Sequence, residues 1–484
     1  MEICVRYCAV FEQNHDYIPA VLESFVRLVH HDHVRIKTRS WYLFHRFIKH
    51  LRAQVGNVAE TVIQSIADLL PIKAEVPSED ADDDMSSDES DHSADALFNS
   101  QLYLFEAIGT ISATTNTPPE KQALYARSVM EPLFRDLEEH LPRAKSGDAQ
   151  AALQIHHIIM ALGTLAHGFS DWSPGMPVTK ESGPPEKVVS EEFSRAAEAI
   201  LIALSQLNSS ADIRTACRSS FSRLLGVLGS EVLPQLPQWI EGLLSKSSSK
   251  DEMAMFLRTL DQVVFGFKSE IYNVLDMLLT PLLQRIYTGL AEPIVGTDDE
   301  IQLAELRREY LSFIQIILSN GLDGVLVSEA NQGYFDTVIT SVTQIGRTLE
   351  GHLGPCRLAF SIMTKISSIW GGPDVATISQ NPTAPTGPPN PAFPGFDHSV
   401  CWDVMRNPNF RPAQDAQNRQ VLIELAGLEQ MIYTKTGETF IRHLQETIFH
   451  SFGIDGDEFL RSLTTLADKR AFASYLQGLL KTRQ

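Results

Sequence analysis

Cysteine is scarce in this chain: five in 484 residues, at Cys4, Cys8, Cys217, Cys356 and Cys401. An odd, scattered set of thiols excludes a disulfide-stapled scaffold and suits a reducing compartment. Cys4 and Cys8 lie four apart with no partner pair and read as packing residues. No run of about 18 uncharged apolar residues occurs, so no membrane-spanning helix and no membrane insertion are expected. The opening Met1-Glu2-Ile3-Cys4 has neither the basic start nor the apolar stretch of a secretory leader. Phosphate loops of the G-x-x-x-x-G-K-[ST] or strand-borne G-x-G-x-x-G kind are lacking, and so is a G-x-S-x-G elbow. Acid pairs such as Glu138-Glu139 and Glu191-Glu192 sit on polar helix surfaces with no shared cleft. His30, His31, His33, His45, His50 and the pair His156-His157 do not repeat with metal-ligand spacing and read as turn and surface residues. The expectation is a protein that is not an enzyme, with no catalytic residue, cofactor or metal. A hydrolase or transferase is a distant third reading with no motif behind it.

Positive charge is also in deficit. Lys and Arg number 40 against 60 Asp and Glu, a formal net charge of -20, which taken as a sum argues against a nucleic-acid partner. The sum misleads, because the charge is uneven. Glu75, Glu79, Asp80, Asp82, Asp83, Asp84, Asp88, Glu89, Asp91 and Asp95 fall in one short stretch without a single Lys or Arg. Half of the net charge sits there, so local patches must be judged one by one.

What is present is helical periodicity. Val21, Leu22, Phe25, Leu28 and Val29 mark one helix face. His31-Asp32-His33 interrupts, and Trp41, Phe44, Phe47, Ile48 and Leu51 mark the next. The pattern predicts two antiparallel helices joined by a short turn. The design returns in Leu97–Ile111, in the pair Ala196–Leu207 and Ala216–Leu228, and in Ile271–Leu290, Leu303–Leu318 and Gln417–Met431. Recurring helix pairs with almost no strand-like alternation predict an all-α solenoid. Hydrophobic residues make up 43% of the chain, enough to bury its core.

Three segments break the array. Residues 74–96 are acidic and Ser-rich with almost no large apolar group, and are expected to be a disordered loop. Within them, Met85-Ser86-Ser87-Asp88-Glu89-Ser90-Asp91 resembles substrates of acid-directed kinases. Residues 171–189, with four prolines and two glycines, and the Pro-, Gly-, Asn- and Thr-rich residues 371–397 read as surface loops. The repeats then occupy 1–73, 97–170, 190–370 and 398–484. A sharper signature is Pro19 in a first helix followed by Asp32-His33-Val34-Arg35 at the start of the second, echoed by Asp212-Ile213-Arg214. The pattern is that of HEAT repeats, in which the Asp is expected to cap and the Arg to bridge to the next repeat.

The most informative stretch is basic. Between Arg27 and Arg52 lie seven Lys or Arg residues and one acid, Asp32. On a helical wheel with Arg35 at zero, Arg46 falls at about 20°, Arg39 at about 40° and Lys49 at about -40°. The apolar set Trp41, Phe44, Phe47, Ile48 and Leu51 falls between about 120° and 240°. The cations therefore form a stripe opposite the buried face. Arginines spaced along a helix suit phosphates, because each guanidinium fork can hold two oxygens. The stripe makes Arg39, Arg46, Lys49, Arg52 and Arg35 candidate RNA-binding residues. A plain solvated face is the alternative for all of them, and repeat-bridging the alternative for Arg35.

The run from Met1 to Gly56, above all Glu23–His31 and Val34–Phe44, resembles the exportin-T family, the karyopherins that export tRNA from the nucleus. LFNSQLYLFEAIGTI, EVLPQLPQWI, LRREYLSFIQ, SSIWGG and the closing ASYLQGLLKTR agree with that family across the chain. The resemblance implies a HEAT-repeat superhelical arch that wraps tRNA together with the GTP form of the Ran GTPase, meets nuclear pore proteins and shuttles between nucleus and cytoplasm. It implies that the second helix of each pair lines the cargo wall, which places Arg39, Arg46 and Lys49 facing RNA. The family's receptors are about twice this length. The resemblance is to their carboxyl-terminal half, with Met1 an internal methionine and the Ran-gripping repeats missing. A HEAT scaffold for a protein cargo is the runner-up reading.

Overall fold

The computed structural model describes residues 1–76, 94–179, 182–246, 249–349, 351, 353–371 and 399–481. Every regular element among them is a helix, and the chain divides into two compact units, Met1–Ser247 and Ser248–Gln484. In the first unit α1 (Glu2–Arg6), α2 (Ala9–Gln13), α3 (Ile18–Val29), α4 (Val34–His50), α5 (Ala59–Ile66), α6 (Ala94–Ser112), α7 (Pro119–Lys145), α8 (Ala149–Phe169), α9 (Lys187–Leu207), α10 (Ala211–Leu228) and α11 (Leu236–Leu244) follow in order. The second unit holds α12 (Lys250–Phe267), α13 (Tyr272–Ala291), α14 (Thr297–Ser319), α15 (Phe335–Arg347), α16 (Gly354–Trp370), α17 (Ser399–Arg406), α18 (Ala416–Thr436), α19 (Glu438–Leu444), α20 (His450–Phe452), α21 (Gly456–Thr465) and α22 (Lys469–Lys481).

Each unit is built as a HEAT-type solenoid. In the first, α4, α6, α8 and α10 pack successively as one layer, and α3, α7 and α9 each cover a member of that layer. In the second unit α12, α14, α16, α18 and α22 succeed one another, with α13 and α15 beside them. Each helix meets only its neighbours, so the core is a continuous stripe between two layers and not a central ball. The period-3.6 pattern explains the inward faces: Ile18, Leu22, Phe25 and Val29 of α3 and Trp41, Phe44, Phe47 and Ile48 of α4 are buried. The Phe25 and Phe47 rings stack 4.9 Å apart. Trp41 Nε1 donates to the Val29 carbonyl at 3.0 Å, occupying an acceptor at the end of α3.

The closest approach within the first layer is at a pair of glycines. A Cβ on Gly109 of α6 would stand 2.4 Å from the Leu165 carbonyl oxygen, and one on Gly168 of α8 would stand 2.3 Å from the Glu106 carbonyl oxygen. Only hydrogen fits between the two backbones there. Gly163 of α8 meets Ser220 of α10 in the same way, with an added Cβ 2.5 Å from Ser220 Oγ.

Two expectations about local structure are corrected. The N-cap of α4 is His33 with no side-chain cap bond, so Asp32 does not cap it. The N-cap of α10 is Ser210, whose hydroxyl accepts from Ile213 N, and Asp212 lies inside the first turn. Asp212 there favours the positive end of the helix without capping it. Buried Arg214 donates to the Asn208 carbonyl of its own turn at 2.7 Å.

The expected loop boundaries also shift. Residues 72–76 are an extended strap read by amide side chains: Gln154 accepts from Ala74 N and donates to the Ile72 carbonyl, both at 2.8 Å, and Gln150 accepts from Val76 N at 3.1 Å. Residues 94–96 open α6. The rest of the acidic segment, 77–93, including Met85–Asp91, lies outside the described residues, as does 372–397 of the Pro-rich segment. Of 171–189, Lys187–Val189 already belong to α9.

Two outcomes follow from this packing. Gly109→Ala forces α6 and α8 apart, and the cost expected for overpacking is about 1–3 kcal/mol, read as a lower melting temperature. Glu429 of α18 is fully buried, and burial, opposed by the adjacent Cys401 thiol, pushes its pKa up to about 8. A carboxyl group raised on folding adds stability that is complete below its unfolded value and is lost as pH rises through the folded value. The wild-type melting temperature should therefore fall as pH is raised from about 4.5 towards about 8 and level off above it. In Glu429→Gln that fall should be visibly smaller; an identical slope would exclude Glu429 as its source.

Candidate nucleic-acid interface

With one face of α4 packed on α3, the opposite face must carry what cannot be buried. Arg35, Arg39, Arg46 and Lys49 are all exposed there. Tyr42 spaces them: its ring lies 5.2 Å from the Arg39 guanidinium carbon and 5.9 Å from that of Arg46, and Arg46 Nη1 donates to Tyr42 Oη at 3.3 Å. Such cation–π contacts hold a guanidinium flat without consuming its hydrogen-bonding edge. Tyr42 meets Tyr103 of α6 edge-on at 5.2 Å, and Tyr103 stacks on His45 at 5.6 Å.

A cleft of about 610 Å³ opens beside this face, lined by Arg6, Arg39, Tyr42, Arg46 and His50, with Glu2 and Glu12 on its α1–α2 side. Arg39 donates from Nε and Nη2 to Glu2 Oε1 at 3.1 and 2.8 Å. The Arg39 hydrogen bond and charge hold the Glu2 carboxyl below its usual range. Lys49 Nζ reaches Glu106 Oε1 at 3.3 Å. Arg52 is placed differently from the other four. It lies beyond the last residue of α4, and donates from Nη2 to the Ala113 and Phe169 carbonyls, both at 3.1 Å, and from Nη1 to Asp171 at 3.4 Å. Those bonds clip the ends of α6 and α8 together, which is a scaffold role.

The sequence reading missed Arg6, Tyr42 and His50, which enter the cleft from α1 and α4, and Glu106 and His167, which arrive from α6 and α8. Glu106 has a side chain only 15% exposed. Burial raises its pKa; the His45 contact and the charges of His45, Lys49 and His167 outweigh that and hold it at about 2. His45 Nε2 lies 3.1 Å from Glu106 Oε1, an ion-pair separation, but off the line a hydrogen bond requires. His167 Nε2 stands 3.8 Å from the same oxygen. His45 and His157 are buried, which corrects their reading as surface residues. His157 stacks on Phe98 at 3.7 Å, and burial with the nearby His156 lowers its pKa to about 4. Among the described residues no three His, Cys, Asp or Glu side chains converge as metal ligands.

The arrangement can hold anions. Two guanidiniums on an aromatic spacer, an ammonium and a cleft with further cationic groups offer several donors on one wall, at spacings a polyphosphate backbone can follow.

The family model described as Exportin-T matches residues 1–484. The Exportin-T of Pyricularia oryzae is 68% identical over 100% of this chain, and that of Neurospora crassa 64% identical over 100% of it. The chain spans 48% of the length of each. A crystal structure of a Kap121p mutant aligns with 96% of the chain and 45% of its own, at 11% identity and a TM-score of 0.38. These matches fix the share of the relatives that is covered. They lend no support to the expected placement in the carboxyl-terminal half, nor to the expectation that Ran-gripping repeats are missing, and both are withdrawn. With its family model matched from first residue to last and relatives at 68% and 64% identity, the chain belongs to the Exportin-T family.

Proposed function

We propose that this chain is part of a tRNA nuclear export receptor, a binding scaffold that does no chemistry and that takes tRNA by its phosphates along the exposed face of α4. One observation carries the reading: Arg39, Arg46 and Lys49 stand exposed along the helix face opposite the buried aromatic stripe, the two arginines spaced by Tyr42 and open to a cleft. Membership of the Exportin-T family supports the choice of cargo. Duplex RNA presents proteins chiefly with phosphates, 2′-hydroxyls and a shallow minor groove, so recognition is by shape and charge and not by base sequence. Arg35 extends the same face at its first turn. The GTP form of Ran and nuclear pore proteins are the partners this reading brings, and shuttling between nucleus and cytoplasm is its localisation.

The test is direct titration of the whole chain with tRNA. The triple variant Arg39→Gln, Arg46→Gln, Lys49→Gln removes three positive charges without placing a new carboxylate against Glu2 or Glu106. It should weaken tRNA binding at least about tenfold and flatten the slope of log affinity against log salt by roughly one for each phosphate no longer held. The helical circular dichroism should not change. Unchanged affinity and slope in the folded variant would remove the basis of the proposal. Binding that ignores salt would favour a protein cargo instead.

A further inference from the structure

The cation that projects from the last turn of α4 is not anchored by its own helix. Lys49 is 46% exposed, yet its ammonium is 3.3 Å from Glu106 of α6, whose side chain is 15% exposed. The same carboxylate is approached by His45 of α4 at 3.1 Å and His167 of α8 at 3.8 Å. Its charge also supports Arg223 of α10, whose burial otherwise lowers its pKa. One acid thus faces basic groups from two helices and reaches electrostatically to a third. The sequence sets this meeting up through glycine. Gly109 lies one turn beyond Glu106, Gly168 follows His167, and their backbones approach with no room for a Cβ. That approach brings the carboxylate and the imidazole of neighbouring helices to one point.

An acid in a phosphate-binding wall ordinarily opposes binding, and Glu2 fits that description: it is exposed, sits on α1 and occupies the fork of Arg39. Glu106 differs in burial and in partners. Without it, Lys49 and the other basic groups that Glu106 faces would lose their shared counter-charge. Lys49 would also be deprived of the partner that fixes a long side chain with large rotamer entropy.

We propose that Glu106 is a positioning residue for RNA, holding Lys49 in the attitude that meets a phosphate, while Glu2 is a competitor that RNA displaces from Arg39. The inference rests on the reading of α4 as the RNA wall. It assigns opposite signs to two acids on one surface. Removing Glu2 frees a fork. Removing Glu106 adds a unit of positive charge and still weakens the hold on a phosphate.

The experiment measures tRNA affinity and its salt dependence for the full chain carrying Glu2→Gln, Glu106→Gln, Lys49→Ala, and Glu106→Gln with Lys49→Ala. Glu2→Gln should tighten binding. Glu106→Gln should weaken it by a factor similar to that of Lys49→Ala, and lower the salt slope by roughly one, the signature of a single phosphate no longer neutralised. The double variant should be no weaker than Lys49→Ala alone, because Glu106 acts through Lys49. A purely structural Glu106 would instead weaken binding additively with Lys49→Ala and leave the slope unchanged, and that result overturns the proposal. Tighter binding by Glu106→Gln overturns it as well. Loss of helical signal in Glu106→Gln is controlled by Glu106→Asp, which keeps the charge and should restore the wild-type salt slope. The triple variant of the basic stripe separates the two readings. If it leaves affinity unchanged, the RNA wall itself is wrong; if it loses affinity while Glu106→Gln does not, only the positioning role is.

Discussion

The first unit depends on how closely successive second-layer helices can approach. Helices normally keep about 8–10 Å between axes because side chains intervene. At Gly109 and Gly168 nothing intervenes, and backbone meets backbone. That meeting fixes α6 against α8, and the Gly163–Ser220 approach fixes α8 against α10. α4 continues the layer so formed, and Arg52 clips the ends of α6 and α8 beside it through the Ala113 and Phe169 carbonyls. A surface built on such a layer has little freedom to rearrange, because each helix is determined by both neighbours.

The electrostatics follow from that geometry. In a solenoid the exposed face of each second helix is continuous with the next, so charges from separate helices become neighbours. Glu106, with its pKa held at about 2, is ionised at any ordinary pH and serves as a fixed counter-charge. Exposed pairs such as Arg39 with Glu2 contribute little to stability. They are easily exchanged for a phosphate, whereas the half-buried carboxylate is not. Burial thus separates acids that hold the wall together from acids that only occupy it.

The second unit keeps its polar groups in a different manner. Asp261 of α12 is mostly buried, accepts from Ser312 at 2.6 Å and has its pKa raised to about 7, chiefly by burial. Glu429 is more deeply buried and is raised further. Neither meets a cation as Glu106 does. Near Asp261, Arg258 and Arg308 share the buried Glu309 at 3.0 and 2.8 Å, so these cations are paired. The basic wall described above lies on α4, in the first unit.

The sequence by itself determined the helices and which of their faces are buried. Trp41, Phe44, Phe47 and Ile48 declare one side of α4 whatever it packs on, because period 3.6 leaves an apolar stripe no other stable place. By the same periodicity Arg35, Arg39, Arg46 and Lys49 had to fall on the opposite side. Caps were less legible, since Asp32, Ser210 and Asp212 are equally plausible caps by residue type and only backbone geometry chooses among them. What only the tertiary structure decided is which charges meet. Glu106 is 57 positions from Lys49, and Asp171 is 119 positions from Arg52. No periodicity links such pairs. Their meeting depends on two glycines whose missing side chains let the helices touch, and a missing side chain leaves no pattern of its own to read.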